Sequence, residues 1–202
     1  SYLLPRGAIF TISTKAIVPD KTIELLKKYS RQIEAIAMGI TNLDEERNRV
    51  LEPNCPNIRE RLENLKKFTK IGCCVGARMD PIFPIIDDSE ESLRRTVRAI
   101  YEAGAKVLAG TYIFSFGDLL KNMRREPFLK KSMKCLTERS YPMGGKALSV
   151  PVERKKRTYN LLNEICASYG IRFRTCGCKD TQLRDEGYPL ICRNMDFYTD
   201  KQ

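Results

Sequence analysis

The chain has 202 residues, 42% of them apolar and 30% charged, and its 36 Lys and Arg against 25 Asp and Glu give a net charge of +11. This composition fits one large or two small globular domains and excludes a disordered chain. With no histidine at all, imidazole acid–base catalysis, Ser-His-Asp and Cys-His nucleophiles and every zinc site built on imidazole are excluded as well.

No apolar run reaches the roughly 20 residues of a membrane span, and no secretory leader opens the sequence, so the expectation is a cytoplasmic protein without a membrane partner. Ala8–Ile17 is rich in Ile, Phe and Thr and predicts a first strand. Pro19-Asp20 starts a helix with Ile23, Leu26, Tyr29 and Ile33 at helical spacing. Ile36–Thr41 predicts a second strand, and Asp44 caps a short helix that ends before Pro53. Pro56 opens another helix, with Ile58, Leu62, Leu65 and Phe68 on one face and Gly72 beyond its end.

Residues 73–83 predict the third strand. Asp88, three residues before Glu91, reads as a capping box for a helix whose stripe is Leu93, Val97 and Ile100 and whose stop is Gly104. Residues 106–114 predict the fourth strand. Basic helices are expected over roughly 116–139, then a loop, "SYPMGGKALSVP". Pro151 opens a helix carrying Val152, Tyr159, Leu162, Ile165 and Tyr169; Gly170 ends it, and a short strand, Ile171–Thr175, leads into "CGCKD".

Strands joined by helices imply a parallel sheet with right-handed crossovers, covered on both faces or closed as a barrel. Ligands of such folds bind at the carboxyl ends of the strands. Lys15, Thr41 with Asn42, Arg78 with Asp80, and Thr111–Tyr112 with Ser115 all fall there. Arg78 and Asp80 also share one face of their strand, so a private ion pair and a ligand mouth are both open readings.

Three segments in order carry a resemblance: "ISTK" at 12–15, "GITNLDEERNRVLEPNCPNIRERLENL" at 39–65 and "GARMDPIFPIIDDSEESL" at 76–93. Together they resemble the later part of the radical S-adenosylmethionine (SAM) core in the spore-photoproduct-lyase-like group. The resemblance implies an α/β fold: a partial parallel (β/α) barrel over residues 1–115 that lacks its first strands, then a C-terminal helical extension over 116–202. It implies an enzyme that reduces a [4Fe–4S] cluster to cleave SAM and release a 5′-deoxyadenosyl radical, on an unnamed substrate. Lys15 matches the lysine that binds the methionyl carboxylate. Arg78 matches the arginine of "R-x-D-P" on the strand flanking SAM, and Asp80 would orient that strand's end or its arginine. Gly39 stands where the group usually has a serine, two residues before Thr41, so one hydroxyl contact to SAM is missing.

The cluster motif C-x-x-x-C-x-x-C is absent from the eight cysteines. The resemblance therefore places the cluster ligands in a missing N-terminal segment or a partner chain. Cys176, Cys178 and Cys192, with Cys166 as a fourth, form a candidate set for an auxiliary Fe–S cluster or zinc, against the alternative of reduced structural thiols. "PMGGK" lacks the spacing of a phosphate loop and reads as a turn. The competing function is a non-catalytic basic α/β module whose charge binds nucleic acid or a partner protein.

Overall fold

The structure, a computed structural model, describes residues 3–115, 123, 126–183 and 186–189. Four strands follow one another from the N-terminal side: β1 (Phe10–Thr14), β2 (Ile33–Gly39), β3 (Cys74–Ile82) and β4 (Val107–Tyr112). Three short ones come next, β5 (Phe114–Ser115), β6 (Glu138–Ser140) and β7 (Ala147–Ser149), before β8 (Arg172–Thr175). The five longer strands make one parallel sheet in the order β1-β2-β3-β4-β8. The expected order of the first four is therefore met, and β8 joins the same sheet from beyond residue 115.

Six α-helices connect the strands among the described residues. They are α1 (Asp20–Lys28), α2 (Glu45–Leu51), α3 (Ile58–Phe68), α4 (Glu90–Glu102), α5 (Pro127–Met133) and α6 (Val152–Ser168). Their starts follow local chemistry. Asp44 caps α2 by accepting from the Arg47 N–H at 3.0 Å, as its position predicts. The helix expected to open at Pro56 begins at Ile58 instead, because Asn57 and Glu60 form a reciprocal capping box. The box expected from Asp88 is also displaced: Ser89 caps α4 through the Ser92 N–H. Asp88 is drawn elsewhere, accepting from the Ile85 N–H, the Tyr112 hydroxyl and Arg154.

A second correction concerns residues 116–151. Residues 116–122 and 124–125 lie outside the described residues. Beyond them, where basic helices are expected to 139, the described residues form one short helix, α5, followed by β6, and the expected loop holds β7. β5, β7 and β6 form a small antiparallel sheet in which Ser115 faces Leu148 and Leu148 faces Arg139. Strands of two or three residues are too short to show an alternating pattern in sequence.

The core lies on both faces of the parallel sheet, with Ile36, Met38, Ala77, Met79 and Leu108 fully buried on the strands. Leu93, Val97 and Ile100 of α4 close over it, and so do Tyr159, Leu162 and Ile165 of α6. Continuous apolar strands are what two-sided cover requires. The predicted apolar face of α3 buries Ile58, Leu65 and Phe68, but it also buries Arg61 and Asn64. Those two polar side chains connect the core to the strand ends.

Candidate functional site

Strand register alone gathers the first residues of the site. Thr14 lies beside Met38, and Gly39 lies beside Arg78, so the residue after β1 meets the end of β2 and the bend of β3. An open cavity of about 250 Å³ forms there, lined by Ser13, Thr14, Lys15, Gly39, Arg78 and Asp80. Of the five residues assigned from sequence to cofactor binding, these include Lys15, Gly39, Arg78 and Asp80. The fifth, Thr41, sits two residues past β2; it is buried, and its Oγ1 has no hydrogen-bond partner among the described residues.

Lys15 is held by Glu52 through an ion pair. Glu52 also pairs with Arg61 at 2.5 Å, and Arg61 is only 1% exposed. The Arg61 guanidinium further donates to the carbonyls of Pro56 at 2.8 Å and Gly39 at 3.2 Å. Asn64, one turn along α3, donates to the Ala16 carbonyl and accepts from the Val18 N–H. One face of α3 thus fixes both the segment that carries Lys15 and the carboxylate that orients it. Gly39 has a specific steric reason: a Cβ there would stand 2.7 Å from Lys15 Cγ and 2.9 Å from Lys15 Cε. The Lys15 stem fills the space that a side chain at position 39 would need.

On the other side of the cavity, Asp80 accepts from Arg78 at 2.9 Å and from Lys179 at 2.6 Å. Burial alone would raise the Asp80 carboxyl, but Lys179 and Arg78 hold it below the usual carboxylate range. The private ion pair and the ligand mouth therefore coexist: Arg78 pairs with Asp80 and also lines the cavity. Lys15, Arg61, Arg78 and Lys179 bracket the site against Glu52 and Asp80, four cations against two carboxylates. The surplus is positive, which suits an anionic group on a ligand.

Beyond β2 the strand ends are tied by a buried polar cluster. Asn42 donates to Asp87 at 2.9 Å and accepts from Asn48 and the Asp44 N–H. The second Asp87 oxygen accepts from the Phe83 N–H at 2.9 Å. Burial pushes the Asp87 carboxyl up to about 7, against the pull of those donors. Among the other strand-end residues, Tyr112 bonds Asp88 at 2.6 Å and Thr158 at 2.7 Å, which joins β4 to α6.

The cysteine set divides. The Sγ atoms of Cys176 and Cys178 lie 3.0 Å apart, and Cys192 lies outside the described residues. Cys166 packs in the main core cluster, where burial pushes its thiol up to about 12. Among the described residues no three Cys, Asp or Glu side chains gather as a metal site would require. Nor is any described helix long and apolar enough to cross a membrane.

Sequence reading did not single out Glu52, Arg61 or Lys179. Glu52 belongs to the "LEP" segment, which carried the resemblance without a role for its carboxylate. Arg61 left a signal, a cation set among Ile58, Leu62, Leu65 and Phe68 on an apolar face. Lys179 left none, since its contact with Asp80 spans 99 residues.

No family model matches the sequence. An uncharacterized protein, ORF301, of Acidianus two-tailed virus is 30% identical over 117 residues, which cover 56% of this chain and 38% of that protein. The chain thus spans well under half the length of this curated relative. Among solved structures, a domain of the pyruvate-formate lyase-activating enzyme from Bacteroides vulgatus superposes with a TM-score of 0.54 at 10% identity, over 86% of this chain and 84% of that one. A spore photoproduct lyase variant with bound AdoMet and dinucleoside spore photoproduct gives a TM-score of 0.60 at 12% identity, over 82% of this chain and 50% of that one. SuiB of Streptococcus suis gives 0.52 at 16% identity, over 83% of this chain and 32% of that one. All three are radical SAM enzymes, and the likeness is one of fold.

Proposed function

We propose that this chain is the part of a radical SAM enzyme that binds the methionyl end of SAM, its parallel sheet being the later portion of a partial (β/α) barrel. The observation that carries the reading is the single cavity lined by Lys15, Gly39, Arg78 and Asp80 at the strands' carboxyl ends. Its excess of cations suits the methionyl carboxylate, with Lys15 and Arg78 as charge-assisted donors. Glu52 and Asp80 act as orienting partners that hold the two cations in place before a ligand arrives. Thr41 offers a buried hydroxyl near the same strand end. Bound SAM would supply a 5′-deoxyadenosyl radical once reduced.

The residues present do not fit the [4Fe–4S] cluster. The spacing C-x-x-x-C-x-x-C is absent from the sequence, and no three candidate ligands converge among the described residues. The described residues therefore offer no ligand set for such a cluster.

Calorimetric titration with SAM tests the reading. The wild-type chain is expected to bind. Lys15→Ala and Arg78→Ala should each lose about 1.5–3 kcal/mol, the scale of a hydrogen bond to a charged group, or roughly tenfold to a hundredfold in affinity. Unchanged affinity in both variants would leave Arg78–Asp80 as a structural ion pair only. The basic-module alternative draws on a different place, a cavity of about 450 Å³ beside the small sheet with Arg139, Tyr141 and Lys146 on its wall. Absence of SAM binding together with salt-dependent binding of an oligonucleotide would favour it.

A further inference from the structure

Cys176 and Cys178 follow β8 directly. Their Sγ separation of 3.0 Å is shorter than a shared metal asks for: with zinc–sulfur bonds of about 2.3 Å, two thiolates on one tetrahedral zinc stand roughly 3.7 Å apart. It is longer than a disulfide bond, about 2.05 Å, by only about 1 Å. The backbone already holds the turn, since the Cys176 carbonyl accepts from the Lys179 N–H at 3.1 Å and the Asp180 N–H at 2.7 Å. The two thiols also differ in access, Cys176 being buried and Cys178 exposed. That is the asymmetry of a dithiol in which one sulfur meets the oxidant and the other resolves the product. Elsewhere in the fold, burial pushes the Cys74 thiol up to about 11 and the Cys166 thiol up to about 12.

We propose that Cys176 and Cys178 are a redox modification site, closing to a reversible disulfide with a small-molecule disulfide as oxidant. The Cys178 thiolate attacks one sulfur of the oxidant, forming a mixed disulfide and releasing the first small thiolate. The Cys176 thiolate then attacks the Cys178 sulfur, breaking the mixed disulfide and releasing the second. The protein pair loses two electrons, the oxidant gains them, and the two protons from the protein thiols end on the two released thiols. Closure takes place in the turn that presents Lys179 to Asp80, at the rim of the cavity. The site needs neither SAM nor a cluster, so it stands or falls apart from the proposed function.

The test is to reduce the whole chain, desalt it, titrate it with oxidised glutathione and follow intact and peptide masses. Wild-type protein should become lighter by two hydrogens, with residues 176 and 178 linked, and dithiothreitol should reverse the change. Cys176→Ser should instead accumulate a lasting glutathione adduct on Cys178, and Cys178→Ser should give no product at Cys176. A lasting adduct on wild-type Cys178 would overturn the proposal. So would an unreacted pair, a link from either residue to another cysteine such as Cys192, or iron or zinc bound through the pair in protein as purified.

Discussion

Lys155→Met is expected to destabilise the folded chain by about 3–5 kcal/mol, the usual cost of removing one partner from a buried ion pair. Lys155 is 0% exposed and stands 2.9 Å from Asp180, itself 1% exposed. The ammonium also donates to Gln182 at 3.0 Å, and Asp180 accepts from the Tyr159 hydroxyl at 2.6 Å. Burial pushes the Asp180 carboxyl upward, while Lys155 and Tyr159 favour its ionised form. Without the lysine, the carboxylate keeps one hydroxyl donor and loses its counter-charge. Urea unfolding would measure the loss. The diagnostic companion is the double variant Lys155→Met, Asp180→Leu, which should recover most of it, because an apolar replacement of a whole buried pair is often nearly neutral. If the single variant costs under about 1 kcal/mol, the pair behaves as a solvated one and its buried placement is wrong.

The second large effect is expected at Glu52. Glu52→Leu should cost about 3 kcal/mol, at the lower end of that same range, because Arg61 would still reach two backbone carbonyls. Arg61 is the reason the cost is not small. It is almost fully buried, and Glu52 is the only carboxylate paired with it among the described residues. The comparison variant is Lys15→Met, which removes the other partner of Glu52. The Lys15 side chain is 35% exposed, so its loss should cost no more than about 1 kcal/mol. Equal losses from the two substitutions would mean that Glu52 serves Lys15 and not Arg61.

The parallel sheet was legible because its strands are continuous apolar runs closed by Gly, Pro or charge, as in "IAMGIT" and "VLAG". The order of the first four strands followed from the helices between them. Lys15, Gly39 and Arg78 could be read as neighbours because parallel register brings the ends of consecutive strands together. What stayed hidden depended on distance along the chain or on element size. Asp88 reads locally as a helix cap, yet Tyr112 and Arg154 compete for its carboxylate and Ser89 takes the cap. Lys179 comes from the far end of the sequence to reach Asp80. The small antiparallel sheet is built from strands too short for any periodicity.

The Asp87 carboxyl has a consequence for proton linkage. A chain without histidine has none of the usual side chains that titrate near neutrality. Burial places Asp87 in that role, with its carboxyl up at about 7 in the fold against roughly 3.9 for an exposed aspartate. Between those values the folded chain holds a proton that the unfolded chain has released. The stabilisation from this proton is therefore complete below about pH 4 and is lost as the pH rises to 7. Asp80, held low by its two cations, runs the other way and loses its contribution on acidification. Around neutral pH the molecule therefore carries a proton-sensitive joint where Asp87 links Asn42 to the Phe83 N–H. Both Asp87 oxygens already accept from these donors, so ionisation adds negative charge to bonds that are in place at the ends of β2 and β3.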